Sequence, residues 1–249
     1  MFDMFSLDGK KAIVTGGCRG LGKGIVDAYL KAGAKVAIIG FNKETEAIAS
    51  SFSSGCFGIS ADLSNRKELR AAFDKAFEHL GGLDIIVNNA GIQRRSKCED
   101  FSMEDWDQVI EINLTSVFEL CQLAGRKMIA QGFGKIINIA SILSFVGGYT
   151  VPAYAASKGG VAQLTKTLSN EWASKGINVN AIAPGFCDTD LNTAIIEDES
   201  RYGQIMKRIP AGRWGTPDDI GGLAVFLASE ASAYIHGAII PVDGGYLGG

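Results

Sequence analysis

Tyr154 and Lys158 stand four residues apart, and Ser141 lies thirteen residues upstream of the tyrosine. On a helix, side chains four apart share a face and meet. A phenol titrates near ~10 and is a poor base at neutral pH. A close ammonium favours the phenolate, and lowering that pKa by about three units takes roughly 4 kcal/mol of differential stabilisation. A tyrosine tuned in this way can take the proton of an alcohol or return one to a ketone oxygen. Ser141, at the end of a β-branched run, could hydrogen-bond that oxygen as charge develops on it. By itself, Tyr-x-x-x-Lys is more often a pair on the outside of a helix, so its surroundings decide.

A second chemistry-bearing segment is Thr15-Gly16-Gly17-Cys18-Arg19-Gly20-Leu21-Gly22, which directly follows the first β-branched run. Glycines let a backbone turn tightly and come close to a pyrophosphate. A helix starting near Gly20 would offer unpaired N–H groups and partial positive charge to that anion. The spacing is Gly-x-x-x-Gly-x-Gly, which departs from the common dinucleotide pattern Gly-x-Gly-x-x-Gly. Asn113 sits in the apolar stripe of Trp106, Ile110, Val117 and Cys121. A buried amide must have its hydrogen bonds met, so Asn113 is either a satisfied core residue or one that orients a catalytic group or water. Asn88 and Asn89, after Ile85-Ile86-Val87, pose the same choice.

These residues need a scaffold, and the chain supplies an alternating one. Candidate strands are Ala12–Thr15, Lys35–Ile39, Cys56–Ile59, Asp84–Asn88, Lys135–Ala140, Asn178–Ile182 and Ile239–Val242. Helical patterns separate them, such as Leu69, Ala72, Phe73, Ala76, Phe77 and Leu80, or Val161, Leu164, Leu168 and Trp172. The pattern predicts an α/β fold: one doubly wound (Rossmann) domain over residues 1–249, with a seven-stranded parallel sheet and helices on both faces. Residues 188–215 have weak periodicity and read as an irregular helical excursion, a candidate substrate lid. Ligands of such sheets bind beyond the carboxyl ends of the strands, where each motif above falls.

Composition narrows the function. With 249 residues, 47% hydrophobic and 20% charged, the chain suits a soluble globular protein. A net charge of -3 with interspersed signs gives no footprint for nucleic acid or an anionic membrane. No apolar run approaches the roughly 20 residues of a bilayer span, and Met1–Lys10 lacks the pattern of a signal peptide. Five dispersed cysteines argue for reduced thiols in a cytoplasmic protein, with neither a disulfide framework nor a metal site. Two histidines leave a Ser-His-Asp hydrolase little to draw on.

In this order, Thr15–Gly22, Asp62-Leu63, Asn88-Asn89-Ala90-Gly91, Asn113, Ser141, Tyr154 with Lys158, and Pro184-Gly185 with Thr189 closely resemble the short-chain dehydrogenase/reductase family. The resemblance implies hydride transfer between a nicotinamide cofactor and a secondary alcohol or ketone. It makes Tyr154 the acid/base, Lys158 the residue that lowers its pKa and holds the nicotinamide ribose, Ser141 the partner of the substrate oxygen, and Asn113 part of a proton relay. It assigns cofactor contacts to Gly16, Cys18, Arg19, Gly20, Leu21 and Gly22, with Asp62 and Leu63 at the adenine. Asn88, Asn89, Ala90 and Gly91 would line the cofactor beside Tyr154 and Lys158, and Pro184, Gly185 and Thr189 would meet its carboxamide end. Members are commonly homotetramers.

A narrower resemblance, through Ile92-Gln93-Arg94-Arg95, Ser141–Phe145 and Ile209–Gly215, is to members acting on sugar acids of the 2-keto-3-deoxygluconate or 2-deoxygluconate type. Gluconate 5-dehydrogenases are near relatives. Arg94 and Arg95 would then bind the substrate carboxylate, for which a guanidinium offers a planar fork of donors; Arg95 is the stronger candidate. Either NAD or NADP remains open. Gly40 stands where NAD-preferring members carry Asp, and Arg19 and Lys43 resemble the basic residues of NADP users, while the sugar-acid resemblance points toward NAD. Two further readings stay in view: a 3-oxoacyl-carrier-protein reductase, and a cofactor-binding regulator that has lost catalysis.

Overall fold

Short β-branched runs flanked by glycine and lysine form the strands of a single parallel sheet in the computed structural model, which describes residues 3–52 and 55–249. The strands are β1 (Lys11–Thr15), β2 (Lys35–Gly40), β3 (Cys56–Ser60), β4 (Ile85–Asn88), β5 (Gly134–Ile139), β6 (Ile177–Pro184) and β7 (Ile239–Val242). Their order is β3-β2-β1-β4-β5-β6-β7, every neighbouring pair parallel. The predicted strands are all present, with ends shifted by one or two residues.

The connections are α1 (Gly20–Lys31), α2 (Thr45–Ser51), α3 (Arg66–Leu80), α4 (Met103–Ile110), α5 (Ser116–Gln131), α6 (Pro152–Trp172), α7 (Thr193–Ile196), α8 (Glu199–Met206) and α9 (Pro217–Ala228). A π-helical turn, Glu111–Thr115, joins α4 to α5. Alternate strand side chains feed two cores, as a period of two requires. Ile13, Ile39 and Ile86 pack with Phe73 of α3, Leu120 of α5 and Val161 of α6 on one face. Val14, Ile38 and Val87 pack with Ile25 and Tyr29 of α1 and Ile220 of α9 on the other. Both faces are therefore covered, as an all-parallel sheet demands.

The chain winds outward in both directions from the β1/β4 pair, so that a crevice opens at their carboxyl ends. Residues 188–215 form α7, α8 and the loops around them. They rest on a small separate core of Ile142, Ile195, Ile205, Ile209, Trp214 and Tyr246 beside that crevice. No described helix is long and apolar enough to cross a membrane.

Candidate active site

Thr15, buried at the end of β1, ties the crevice together. Its Oγ1 accepts the Asn89 and Ala90 N–H groups, each at 3.0 Å, and donates to the Val87 carbonyl at 3.4 Å. Asn89 Nδ2 in turn donates to the carbonyls of Thr15 (2.9 Å) and Gly16 (3.1 Å), locking the end of β4 against the glycine loop. Gly16 and Gly20 have φ of 65° and 52°, which disfavours L side chains. A Cβ on Gly22 would run into the Gly16 carbonyl oxygen and lie 2.5 Å from Asn89 Nδ2. Gly16, Gly20 and Gly22 thus shape a cradle that leads into the first turn of α1. Arg19, the residue before that helix, makes no side-chain cap, which leaves the turn's N–H groups for an anion. These features fit the pyrophosphate of a dinucleotide.

Gly40 is equally constrained. A Cβ there would lie 2.7 Å from Thr45 Oγ1 and 3.0 Å from Cys18 Sγ, so a side chain at this position requires the Thr45 and Cys18 side chains to move. The two candidate cations for a 2′-phosphate are exposed: Lys43, and Arg19, whose guanidinium is 3.2 Å from Asp190. After β3, Asp62 accepts hydrogen bonds from the Ser64 N–H and hydroxyl, and the Leu63 side chain is buried in the core. Asn88, expected to line the cofactor, turns inward instead. Its Nδ2 donates to Asn138 Oδ1 at 2.8 Å, and the residue is almost wholly buried.

A cavity of about 340 Å³ opens at the same end of the sheet. Ser141, from the turn after β5, and Tyr154, from the first turns of α6, both line it, along with Leu21, Pro184, Gly185 and Thr189. Ser141 Oγ accepts the Leu143 N–H at 3.1 Å, and its hydroxyl acts to lower the pKa of the nearby Tyr154 phenol. Lys158 is buried one helical turn further on. Its ammonium donates to the Ile139 carbonyl at 2.6 Å and lies 5.6 Å from the centre of the Tyr154 ring. Burial pulls that ammonium down to about 8. Burial also pushes the Tyr154 phenol up to about 12, against the lowering effects of Ser141 and Arg95. In the protein alone, desolvation of the phenolate therefore outweighs the lowering effects of Ser141 and Arg95.

Asn113 occupies the π-helical turn, fully buried. Its Oδ1 accepts the Ile92 N–H (2.8 Å), while Nδ2 donates to the Ile92 carbonyl (2.9 Å) and to Ser157 Oγ (3.2 Å). The amide is satisfied, and it pins the loop Gly91–Gln93 against α6. A Cβ built on Gly91 would be 3.2 Å from Asn113 Oδ1 and 3.8 Å from Lys158 Nζ, so this glycine admits the loop between them. Single-turn π insertions recur at functional sites because they re-aim one residue of a helix.

The two candidate arginines part company. Arg95 lines the cavity, and its electrostatic influence reaches Tyr154. Arg94 does not reach it: its guanidinium pairs with Asp105 at 3.3 Å and donates to Gln108 Oε1 at 2.8 Å on α4. The carboxylate role expected of Arg94 is thus corrected to a tie between the β4 loop and α4. Sequence reasoning missed Arg201 and Arg208, which also line the cavity, with Gln204 and Ile205 between them. Arg201, Gln204 and Ile205, spaced three and four residues apart, share one face of α8, a legible signal, and Arg208 follows in the turn after that helix. Among the described residues, no aspartate or glutamate lines the cavity.

A family model described as enoyl-(acyl carrier protein) reductase matches residues 16–247. The 2-dehydro-3-deoxy-D-gluconate 5-dehydrogenase of Bacillus subtilis is 51% identical over 252 residues, covering 99% of this chain and 98% of that protein. The Escherichia coli enzyme of the same description is 48% identical over 246 residues, 98% of this chain and 97% of its own. Among solved structures, a gluconate 5-dehydrogenase from Burkholderia cenocepacia in complex with NADP and tartrate superposes with a TM-score of 0.93 at 42% identity, covering 99% and 98% of the two chains.

Proposed function

The chain belongs to the short-chain dehydrogenase/reductase family, and from that premise we propose that it interconverts a secondary alcohol and a ketone on a sugar acid of the 2-keto-3-deoxygluconate or 2-deoxygluconate type, using NAD or NADP. The observation that carries the substrate class is the charge of the cavity: Arg95 lines it with Ser141 and Tyr154, and among the described residues no carboxylate lines the wall. A half-buried guanidinium without an acidic partner suits a ligand that brings its own negative charge. The tartrate held by the Burkholderia neighbour, a hydroxylated carboxylate, supports the same reading. The 3-oxoacyl reductase alternative finds less support in an arginine-lined cavity.

Bound nicotinamide would supply the two-electron exchange with the reacting carbon. Gly16, Cys18, Arg19, Gly20, Leu21 and Gly22 would hold its phosphates, Asp62 and Leu63 its adenine, and Asn89, Ala90, Gly91, Pro184, Gly185 and Thr189 the remainder. Tyr154 handles the proton at its phenolic oxygen, giving it to a ketone or taking it from an alcohol. A phenol held near about 12 is protonated at neutral pH and is set up as the donor for reduction. Oxidation needs the phenolate, which the buried charge of Lys158 favours. Ser141 donates to the substrate oxygen as negative charge develops. Asn113 fixes the loop that leads to Arg95, so positioning is its main contribution. Assembly as a homotetramer is part of the same proposal; exposed Met103, Phe118 and Ile129 along α4 and α5 offer apolar surface for it.

The test is a panel of keto-sugar acids, polyols and acyl-thioester mimics, followed by nicotinamide absorbance with NADH and NADPH. Turnover of the keto acids, weak or absent with the neutral compounds, is expected. Turnover of acyl thioesters alone would overturn the substrate class.

A further inference from the structure

Arg95 is not the only cation aimed at the cavity without an acid to answer it. Arg201, on α8, lies close enough that its like charge, after burial, helps to hold the Arg95 guanidinium below its ordinary value. Among the described residues, neither side chain makes a hydrogen bond or ion pair with a protein group. Several other arginines are paired: Arg66 and Arg70 with Glu119, Arg94 with Asp105, and Arg213 with Asp219; Arg208, also in the cavity wall, lies over the Tyr246 ring at 4.2 Å. Guanidinium groups that face one cavity without an acid repel each other unless an anion sits between them, and Arg95 and Arg201 feel each other's charge in this way.

The wall opposite α8 is built to receive Arg201. Tyr149 is 77% exposed, and its ring lies 5.9 Å from the Arg201 guanidinium carbon. Aromatic faces attract guanidinium groups at this range. The ring is held out by a strained neighbour: Thr150 has φ of 62°, and is the one described non-glycine residue in the left-handed region. A β-branched residue adopts that conformation only when its surroundings impose it. Here the Ser96 N–H donates to the Thr150 carbonyl at 3.1 Å, and Thr150 Oγ1 donates to the Tyr149 carbonyl at 2.6 Å. Ser96 adjoins Arg95. The strained turn therefore couples the segment carrying Arg95 to the ring beneath Arg201.

We propose that Arg201 and Arg95 form a two-sided carboxylate clamp, with Tyr149 as the positioning residue for Arg201, and that Arg201 is a specificity determinant for acidic over neutral substrates. This rests on the sugar-acid reading above and goes further, by dividing the carboxylate site between the end of the sheet and the 188–215 segment. One guanidinium approaches the carboxylate from the β4 loop and the other from α8. The acid thereby holds α8 against the cavity, while a neutral sugar of the same shape does not.

The test uses two ketones that differ only at one end of the molecule: 5-keto-D-gluconate, and L-sorbose, which carries a hydroxymethyl group in place of the carboxylate. Steady-state reduction of both is measured with wild type, Arg201→Gln and Tyr149→Ala. Arg201→Gln should raise KM for the keto acid about tenfold or more, as loss of a charge-assisted hydrogen bond implies. Its kcat for the acid, and its kcat/KM for L-sorbose, should stay within about twofold. Tyr149→Ala should move the same KM in the same direction by less, and Arg201→Lys should restore part of the loss. In Arg95→Met/Arg201→Gln the two losses should fall short of multiplying, because both act on one carboxylate. An Arg201→Gln variant that keeps the wild-type preference for the acid would overturn the clamp and leave the sugar-acid reading intact. A wild type that shows no preference between the two ketones would instead defeat the sugar-acid reading, and the clamp with it.

Discussion

Replacing Lys158 with methionine keeps most of the volume of a buried side chain and removes one charge and one donor. The charge lies 5.6 Å from the centre of the Tyr154 ring. At an effective dielectric of about 20, unit charges at that separation interact by about 3 kcal/mol. That corresponds to about two pH units of tyrosine titration, or roughly a hundredfold in phenolate at fixed pH. Burial holds the Lys158 ammonium at about 8, so its help is present below that pH and is lost as pH rises through it. The expected signature is therefore a ratio that changes with pH. Wild type should exceed Lys158→Met in kcat for alcohol oxidation by about a hundredfold near pH 7, and by much less above about pH 9. The assay is nicotinamide absorbance at saturating cofactor from about pH 6 to about pH 10, with circular dichroism to confirm folding, because the Ile139 carbonyl also loses its donor. A ratio near unity below pH 8, or one flat across the range, would refute the electrostatic role.

Two further substitutions probe the cofactor cradle. Gly22→Ala places a methyl group against the Gly16 carbonyl and the Asn89 amide, so it should raise KM for both NADH and NADPH at least about tenfold, with little change for the ketone. Equal effects on cofactor and ketone would point to general misfolding instead. Arg19→Gln should raise KM for NADPH about tenfold and leave NADH within about twofold. Its exposed contact with Asp190 is of a kind worth about 1 kcal/mol or less, weak enough for a phosphate to displace. Identical shifts for the two cofactors would remove Arg19 from the 2′-phosphate site.

The strands, the glycine loop and the Ser141-Tyr154-Lys158 set are legible in the sequence, because each depends on local spacing: β-branched runs, backbone freedom at glycine, and a four-residue helical step. What escaped it was set by packing. The resemblance ranks Arg95 above Arg94, but nothing local takes Arg94 out of the site; Asp105 and Gln108, which draw it away, lie on α4. Asn88 and Asn89 are adjacent and chemically identical, yet one points into the core toward Asn138 and the other onto the glycine loop, as alternation along a strand requires. The helical face of Arg201, Gln204 and Ile205 could have been read, but not its meeting with Tyr149 across the cavity. The raised tyrosine pKa was also out of reach, since burial is a property of the whole fold.

Turnover by Tyr154→Phe is the most direct measurement of all. The variant loses only the phenolic oxygen, so fluorescence titration should give nicotinamide binding within about twofold of wild type, while kcat falls by at least about a hundredfold in both directions. Undiminished kcat with the cofactor still bound would contradict the assignment of the proton to Tyr154.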